Sequence, residues 1–123
     1  MVTASPNRTI CRSSALIEGG AGVRFQVLLE QRPASAFVVR YQGVVHAYLN
    51  VCAHRGVELD WEQGQFFDVK CRWLICSAHG ALYEPASGHC VSGPCQGLSL
   101  ISLPIDERNG EISLVAQNGL DLA

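Results

Sequence analysis

The apolar positions of this chain recur with a period of two more often than with the period of a helix. In "GVRFQVLLE" Val23, Phe25, Val27 and Leu29 alternate with mainly polar neighbours, the pattern of a strand with one buried face. "AFVVRYQGVVHAYLNVC" carries β-branched and aromatic residues on both sides of Gln42-Gly43 and predicts a hairpin. "GQFFDVK" and "RWLIC" predict a second pair, and "LSLISLPI" and "EISLVA" flank "DERNG" as a third hairpin with a glycine turn. Glycine or proline interrupts every stretch that could carry a helix. The pattern therefore predicts an all-β chain, a small antiparallel sandwich or open barrel of short strands. Residues 1–15, rich in Ser, Thr and Arg, read as a loosely ordered N-terminal arm. Residues 16–123 then form a single domain.

Composition narrows the setting. Of the 123 residues 48% are hydrophobic, enough to bury a core in one domain of this length. A formal charge of −2 gives no basis for a nucleic-acid partner or an anionic membrane surface. The opening "MVTASPNRTICRSSALIEGG" has no apolar run that could serve as a signal-peptide core. No stretch approaches the ~20 apolar residues of a membrane span. The expectation is a soluble, cytoplasmic protein. Six cysteines, Cys11, Cys52, Cys71, Cys76, Cys90 and Cys95, then point to metal ligation or reduced thiols rather than a disulfide framework.

Four of the sulfur and imidazole side chains fall in two matched segments. "VCAHRGVEL" places Cys52 and His54 after a predicted strand, and "ICSAHGALY" places Cys76 and His79 after another. Each segment turns through a glycine, Gly56 and Gly80, and loops on a rigid sheet scaffold are where binding sites concentrate. One isolated cysteine would read as a small buried hydrophobe; two Cys/His pairs do not. Structural zinc sites usually pair Cys with Cys and His with His, whereas each loop here supplies one of each. Two thiolates and two imidazoles delivered in that way suit a binuclear 2Fe–2S centre. Zinc remains open on the spacing alone.

At these residues the chain resembles the Rieske-type ferredoxins, whose motif is Cys-x-His followed, after a spacer, by Cys-x2-His. "CAHRG" is similar to the first cluster loop of ring-hydroxylating oxygenases, and "CSAHGALYEPASGHCVSGPC" to the second, with its Gly-Pro cover. The resemblance runs from about Phe37 to Leu103. It implies a Rieske iron–sulfur fold, an antiparallel β base bearing a small cluster-binding subdomain at about residues 51–96. It also implies one 2Fe–2S cluster held by Cys52, His54, Cys76 and His79, with Arg55, Gly56, Gly80, Ala81, Tyr83, Gly93 and Pro94 around it. The spacer is longer than in many soluble relatives, and the excess is expected in "DWEQGQFF" as an extended turn. High-potential relatives have a disulfide between the loops, a serine bonded to sulfide and a tyrosine bonded to a cysteine sulfur. Val57, Ala78 and Ala81 stand at the first three of these positions, and Tyr83 matches the tyrosine. Hydrogen bonds to the sulfurs favour the reduced cluster, so the resemblance implies the low-potential, ferredoxin-like branch.

The mixed ligation has a simple electrostatic consequence. Two ferric ions, two sulfides and two thiolates sum to zero charge, and neutral imidazoles add nothing. Reducing a neutral centre is easier than reducing the dianion that four thiolates would make, so histidine ligation raises the potential.

An oxygenase would need a second iron site of two histidines and a carboxylate, and only His46 and His89 remain. No G-x-G-x-x-G follows a strand, which leaves out a nicotinamide or flavin reductase module. The expected function is a one-electron carrier from a reductase to a terminal oxygenase or other oxidoreductase, its partners being redox proteins. The alternatives are a cluster-bearing regulatory or small subunit of a larger redox complex (nitrite reductase small-subunit-like), a redox sensor, or a zinc-binding module. The exit for the electron is expected at the tip carrying His54 and His79, with Arg55, Glu58, Asp60 and Glu62 tuning docking. Cys90 and Cys95 lie close enough in sequence to bridge, but the expected compartment favours reduced thiols beside the site; Pro94 is expected as part of its lid, His46 and His89 as structural, and Trp61 and Trp73 as hairpin packing. No role is assigned to Cys11 or Cys71.

Overall fold

The computed structural model describes residues 7–53, 57–60, 62–76, 80–93 and 97–123. Eleven strands lie among them: β1 (Asn7–Arg12), β2 (Val23–Leu29), β3 (Arg32–Tyr41), β4 (Val44–Leu49), β5 (Leu74–Cys76), β6 (Ala81–Tyr83), β7 (Cys90–Ser92), β8 (Ser102–Leu103), β9 (Ile105–Arg108), β10 (Glu111–Val115) and β11 (Leu120–Leu122). One 3-10 turn, Ser13–Ala15, follows β1. The strands make three antiparallel sheets, ordered β1-β10-β9, β11-β2-β3-β4-β8 and β5-β6-β7. The all-β expectation holds. No helix among the described residues is long and apolar enough to cross a membrane.

The β3–β4 hairpin is the wall between two cores. Its turn is Gln42-Gly43, both at positive φ (52° and 78°), the backbone that a two-residue hairpin loop requires. Ala36, Phe37, Val38 and Val39 are all fully buried, and the alternation of side chains along a strand divides them. Ala36 and Val38 join Val45, Ala47, Leu49, Val27, Ile112 and Leu114 in one core. Phe37 and Val39 turn the other way, into a core with Tyr48, Leu59, Phe66, Leu74 and Tyr83. A strand buried on both faces reads as a continuous apolar run, which is why "AFVV" shows no polar alternation. The second of these cores underlies the two Cys/His segments.

Three expectations are corrected here. The N-terminal arm is not loose over residues 7–12: β1 pairs along β10 from Asn7↔Val115 to Arg12↔Glu111, and Ile10 and Cys11 pack on the first core. "GQFFDVK" is not a strand. It pairs with "RWLIC" at a single antiparallel bridge, Phe67↔Leu74, with the Asp68 N–H on the Trp73 carbonyl and the Ile75 N–H on the Phe66 carbonyl, while β5 pairs along its length with β6. "LSLISLPI" is divided at Pro104, which has no N–H to continue a ladder. β8 joins β4, while β9 forms the expected hairpin with β10 through Asn109-Gly110.

Phe66 stacks on Phe37 with ring centroids 3.9 Å apart and planes 11° from parallel, and both are fully buried. Truncating such an aromatic costs about 3–5 kcal/mol. Phe66→Ala is therefore expected to lower the denaturation midpoint strongly, whereas Val69→Ala, at a side chain 99% exposed, should leave it unchanged. Chemical denaturation of the two variants checks this.

Candidate metal centre

Cys52 and Cys76 converge from different directions. Cys52 lies three residues beyond the end of β4, and Cys76 is the last residue of β5. Both are buried in the core beneath the small sheet, together with Ala81 and Tyr83 of β6. The register Cys76↔Ala81 and Leu74↔Tyr83 holds the second segment as a tight β5–β6 hairpin. Gly80 opens β6 at φ 70°, its N–H donating to the Cys76 carbonyl oxygen at 2.8 Å. Gly93, just past β7, leaves no room for a side chain: an added Cβ would stand 3.1 Å from Ala81 Cα.

Tyr83 makes the most informative contact. Its Oη accepts the Ala53 N–H at 3.1 Å and lies 3.3 Å from Cys52 Sγ. Because the amide must donate, the hydroxyl hydrogen is left for the sulfur. Burial, then the bond to Cys52, pushes the Tyr83 pKa upward, so the hydroxyl keeps its proton. A thiolate buried here would be costly unless it were coordinated and hydrogen-bonded. The hydroxyl supplies one of those partners, and a metal would supply the other. The residues present thus fit the cysteine side of an iron–sulfur cluster. His54, Arg55, Gly56, Ala78, His79, Pro94, Cys95 and Trp61 lie outside the described residues. Without the two histidines, no three His, Cys, Asp or Glu side chains among the described residues form a metal-holding group.

The first segment is braced by side chains whose role the sequence does not announce. Asn50 is 1% exposed. Its Oδ1 accepts the Leu59 N–H at 2.9 Å and its Nδ2 donates to Asp60 Oδ1 at 2.9 Å. The other oxygen of Asp60 accepts the Gly64 N–H at 2.9 Å and lies 3.6 Å from Arg24 Nε. Arg24 Nη2 pairs with Glu58. Asp60 therefore points inward and is not an open docking charge as expected from sequence, while Glu58 stays about half exposed in its pair with Arg24. Cys90 is also corrected: it is disulfide-bonded, whereas the expectation of a reduced thiol rested on the compartment alone. Cys11 and Cys71 are free thiols. His46 lies half-buried in β4, where burial lowers its pKa, and His89 Nδ1 is 2.7 Å from Ser99 Oγ; neither belongs to the site.

The family model described as "Rieske [2Fe-2S] domain" matches residues 8–104, most of the chain. The chain belongs to the Rieske family. A Rieske domain binds a 2Fe–2S cluster, which agrees with the buried cysteine pair. Among solved structures the chain is similar to the ferredoxin of carbazole 1,9a-dioxygenase from Nocardioides aromaticivorans IC177 (TM-score 0.71, 20% identity, 93% of this chain and 100% of that one). It is also similar to the Sphingomonas yanoikuyae B1 ferredoxin (0.66, 18%, 90% and 99%). A third likeness is to a chain in the complex of reduced oxygenase and oxidized ferredoxin in carbazole 1,9a-dioxygenase (0.69, 18%, 93% and 96%). At these identities the likeness shows the fold. No curated protein sequence matches.

The core of this Rieske domain holds a second buried tyrosine. Tyr48 Oη donates to the Pro85 carbonyl oxygen at 2.6 Å, and burial, then the charge of Glu84, pushes its pKa up to about 12. An unfolded tyrosine titrates near 10. With the folded value raised, this stabilisation is complete below about pH 10 and is lost as pH rises toward the folded value. The denaturation midpoint is expected to fall above about pH 10, and to fall less steeply in Tyr48→Phe. Denaturation curves across alkaline pH, read with tyrosinate absorbance, check the slope.

Proposed function

We propose that this Rieske domain is a one-electron carrier whose cluster is held by Cys52, His54, Cys76 and His79, and which passes electrons from a reductase to a terminal oxygenase. The observation that carries the reading is the Tyr83 hydroxyl set between Cys52 Sγ and the Ala53 N–H, in a core that also buries Cys76. The group supplies reversible uptake of one electron. The chain's own residues do the rest: Tyr83 donates a hydrogen bond to the sulfur on which negative charge grows, and Gly80 and Gly93 let backbone approach closely. By the family motif, Arg55, Gly56 and Pro94 are assigned to the surroundings together with Ala81. The cluster-binding subdomain spans about residues 51–96 within one domain. Relatives of this fold include a ferredoxin of a dioxygenase and a chain from an oxygenase–ferredoxin complex, which supports an oxygenase as acceptor.

Purified protein is expected to carry about two iron and two acid-labile sulfide per chain, to be reduced by a ferredoxin reductase and to reoxidise on addition of a Rieske-type terminal oxygenase. His79→Ala should lose the visible colour and Cys11→Ser should keep it. Stoichiometric zinc without sulfide, or a reduced cluster that no oxygenase reoxidises, would overturn the reading.

The hydroxyl of Tyr83 also sets the potential. Val57 and Ala81 remove two features of the high-potential branch, so voltammetry should place the midpoint in the lower half of the Rieske span of roughly −150 to +300 mV. Tyr83→Phe removes the bond to Cys52. A charge-assisted hydrogen bond stronger by ~1.4 kcal/mol in the reduced state corresponds to about 59 mV for one electron. The variant's midpoint should drop by a shift of that order.

A further inference from the structure

None of the described residues between Leu49 and Leu74 belongs to a strand, so the segment that carries Cys52 has no ladder to hold it. Over residues 50–60 the described backbone contributes a bond from the Cys52 N–H to the Val57 carbonyl oxygen and another from the Asn50 N–H to the Ser35 carbonyl oxygen. Side chains supply further ties. Asn50 stands at the entrance to the segment and touches both residues at its exit, Leu59 and Asp60. Only one orientation of its amide serves both, with oxygen toward an N–H and nitrogen toward a carboxylate. Asp60 then reaches on to Gly64, and Arg24 supplies the opposite charge that a buried carboxylate requires.

We propose that Asn50 and Asp60 are positioning residues: a non-covalent clamp, braced by Arg24, that closes the first cluster loop and sets Cys52 Sγ against Tyr83 Oη. This rests on the reading of Cys52 as a cluster ligand. Each bond in the clamp has a fixed polarity. Asn50→Asp sets two carboxylates face to face. Asp60→Asn turns an NH2 toward either the Asn50 amide or the Gly64 N–H. The double variant Asn50→Asp/Asp60→Asn restores the three hydrogen bonds, with donor and acceptor exchanged between the two side chains, and moves the carboxylate from position 60, beside Arg24, to position 50. The carboxylate it places at position 50 accepts from the Leu59 N–H and from the amide it places at position 60. The oxygen of that amide in turn accepts from the Gly64 N–H.

The test uses the cluster-loaded protein and follows the loss of visible absorbance in a chelator, together with the electron paramagnetic resonance of the reduced state. N50D is expected to lose its cluster about tenfold faster than the parent, the effect of one buried hydrogen bond, and to show a shifted or broadened signal. The double variant should return to within about threefold of the parent lifetime, as coupled sites require, and recover the parent signal. If N50D does not fold, the double variant is still expected to fold and retain the cluster. A double variant no better than N50D, or N50D with the parent's lifetime and signal, overturns the clamp. A parent protein without iron and sulfide would instead overturn the ligand reading, so the two failures are distinguishable.

Discussion

The hairpin β3–β4 must be buried on both faces, and this constraint organises the molecule. Phe37, Val39 and Tyr48 face one core while Ala36, Val38, Val45, Ala47 and Leu49 face the other. Neither face tolerates a polar side chain without a partner, and a slip of one residue would exchange the two sets. Register is therefore tightly specified. Because β4 runs out of the sheet at Leu49, the register of this hairpin also decides where Asn50 and Cys52 emerge. The Phe37–Phe66 stack then carries the order of the base across to the chain leading into β5 and Cys76.

At the far end of that wall the polar groups are few and each has a task. Tyr48 is anchored on the Pro85 carbonyl and Tyr83 on the Ala53 amide. Fixed dipoles matter at a site that gains a unit of charge. A hydroxyl already oriented toward sulfur in a water-poor core stabilises the added charge without a loop having to move, whereas solvent would have to reorganise.

The sequence made part of this legible. The period-two pattern gave β2, and the Gln42-Gly43 and Asn109-Gly110 turns gave the β3–β4 and β9–β10 hairpins, because the information in those elements is local. The Cys-x-His and Cys-x2-His spacings are local in the same way, and Tyr83 Oη lies 3.3 Å from Cys52 Sγ. β1 was missed because Ile10 and Cys11 are a single apolar pair in a polar run; its order comes from pairing with β10, about a hundred residues away. Tertiary pairing likewise gives β5 its full ladder with β6 and leaves "GQFFDVK" one bridge. Asp60 reads as a surface charge because sequence does not show that Arg24, Asn50 and Gly64 meet it in the interior. For Cys90 sequence offers only the compartment as a guide, and compartment does not determine whether a particular thiol is joined.

A buried carboxylate is a poor source of stability, since its desolvation offsets much of what its partners return. Apolar residues of the same volume would hold the interior at least as well. They would not hold the loop in one geometry, because apolar contact is non-directional, whereas the hydrogen bonds of Asn50 and Asp60 are satisfied in one arrangement only. Those residues sit where the loop leaves the wall and where it returns. The two cores supply the stability, and the polar network at their edge supplies a single position for Cys52.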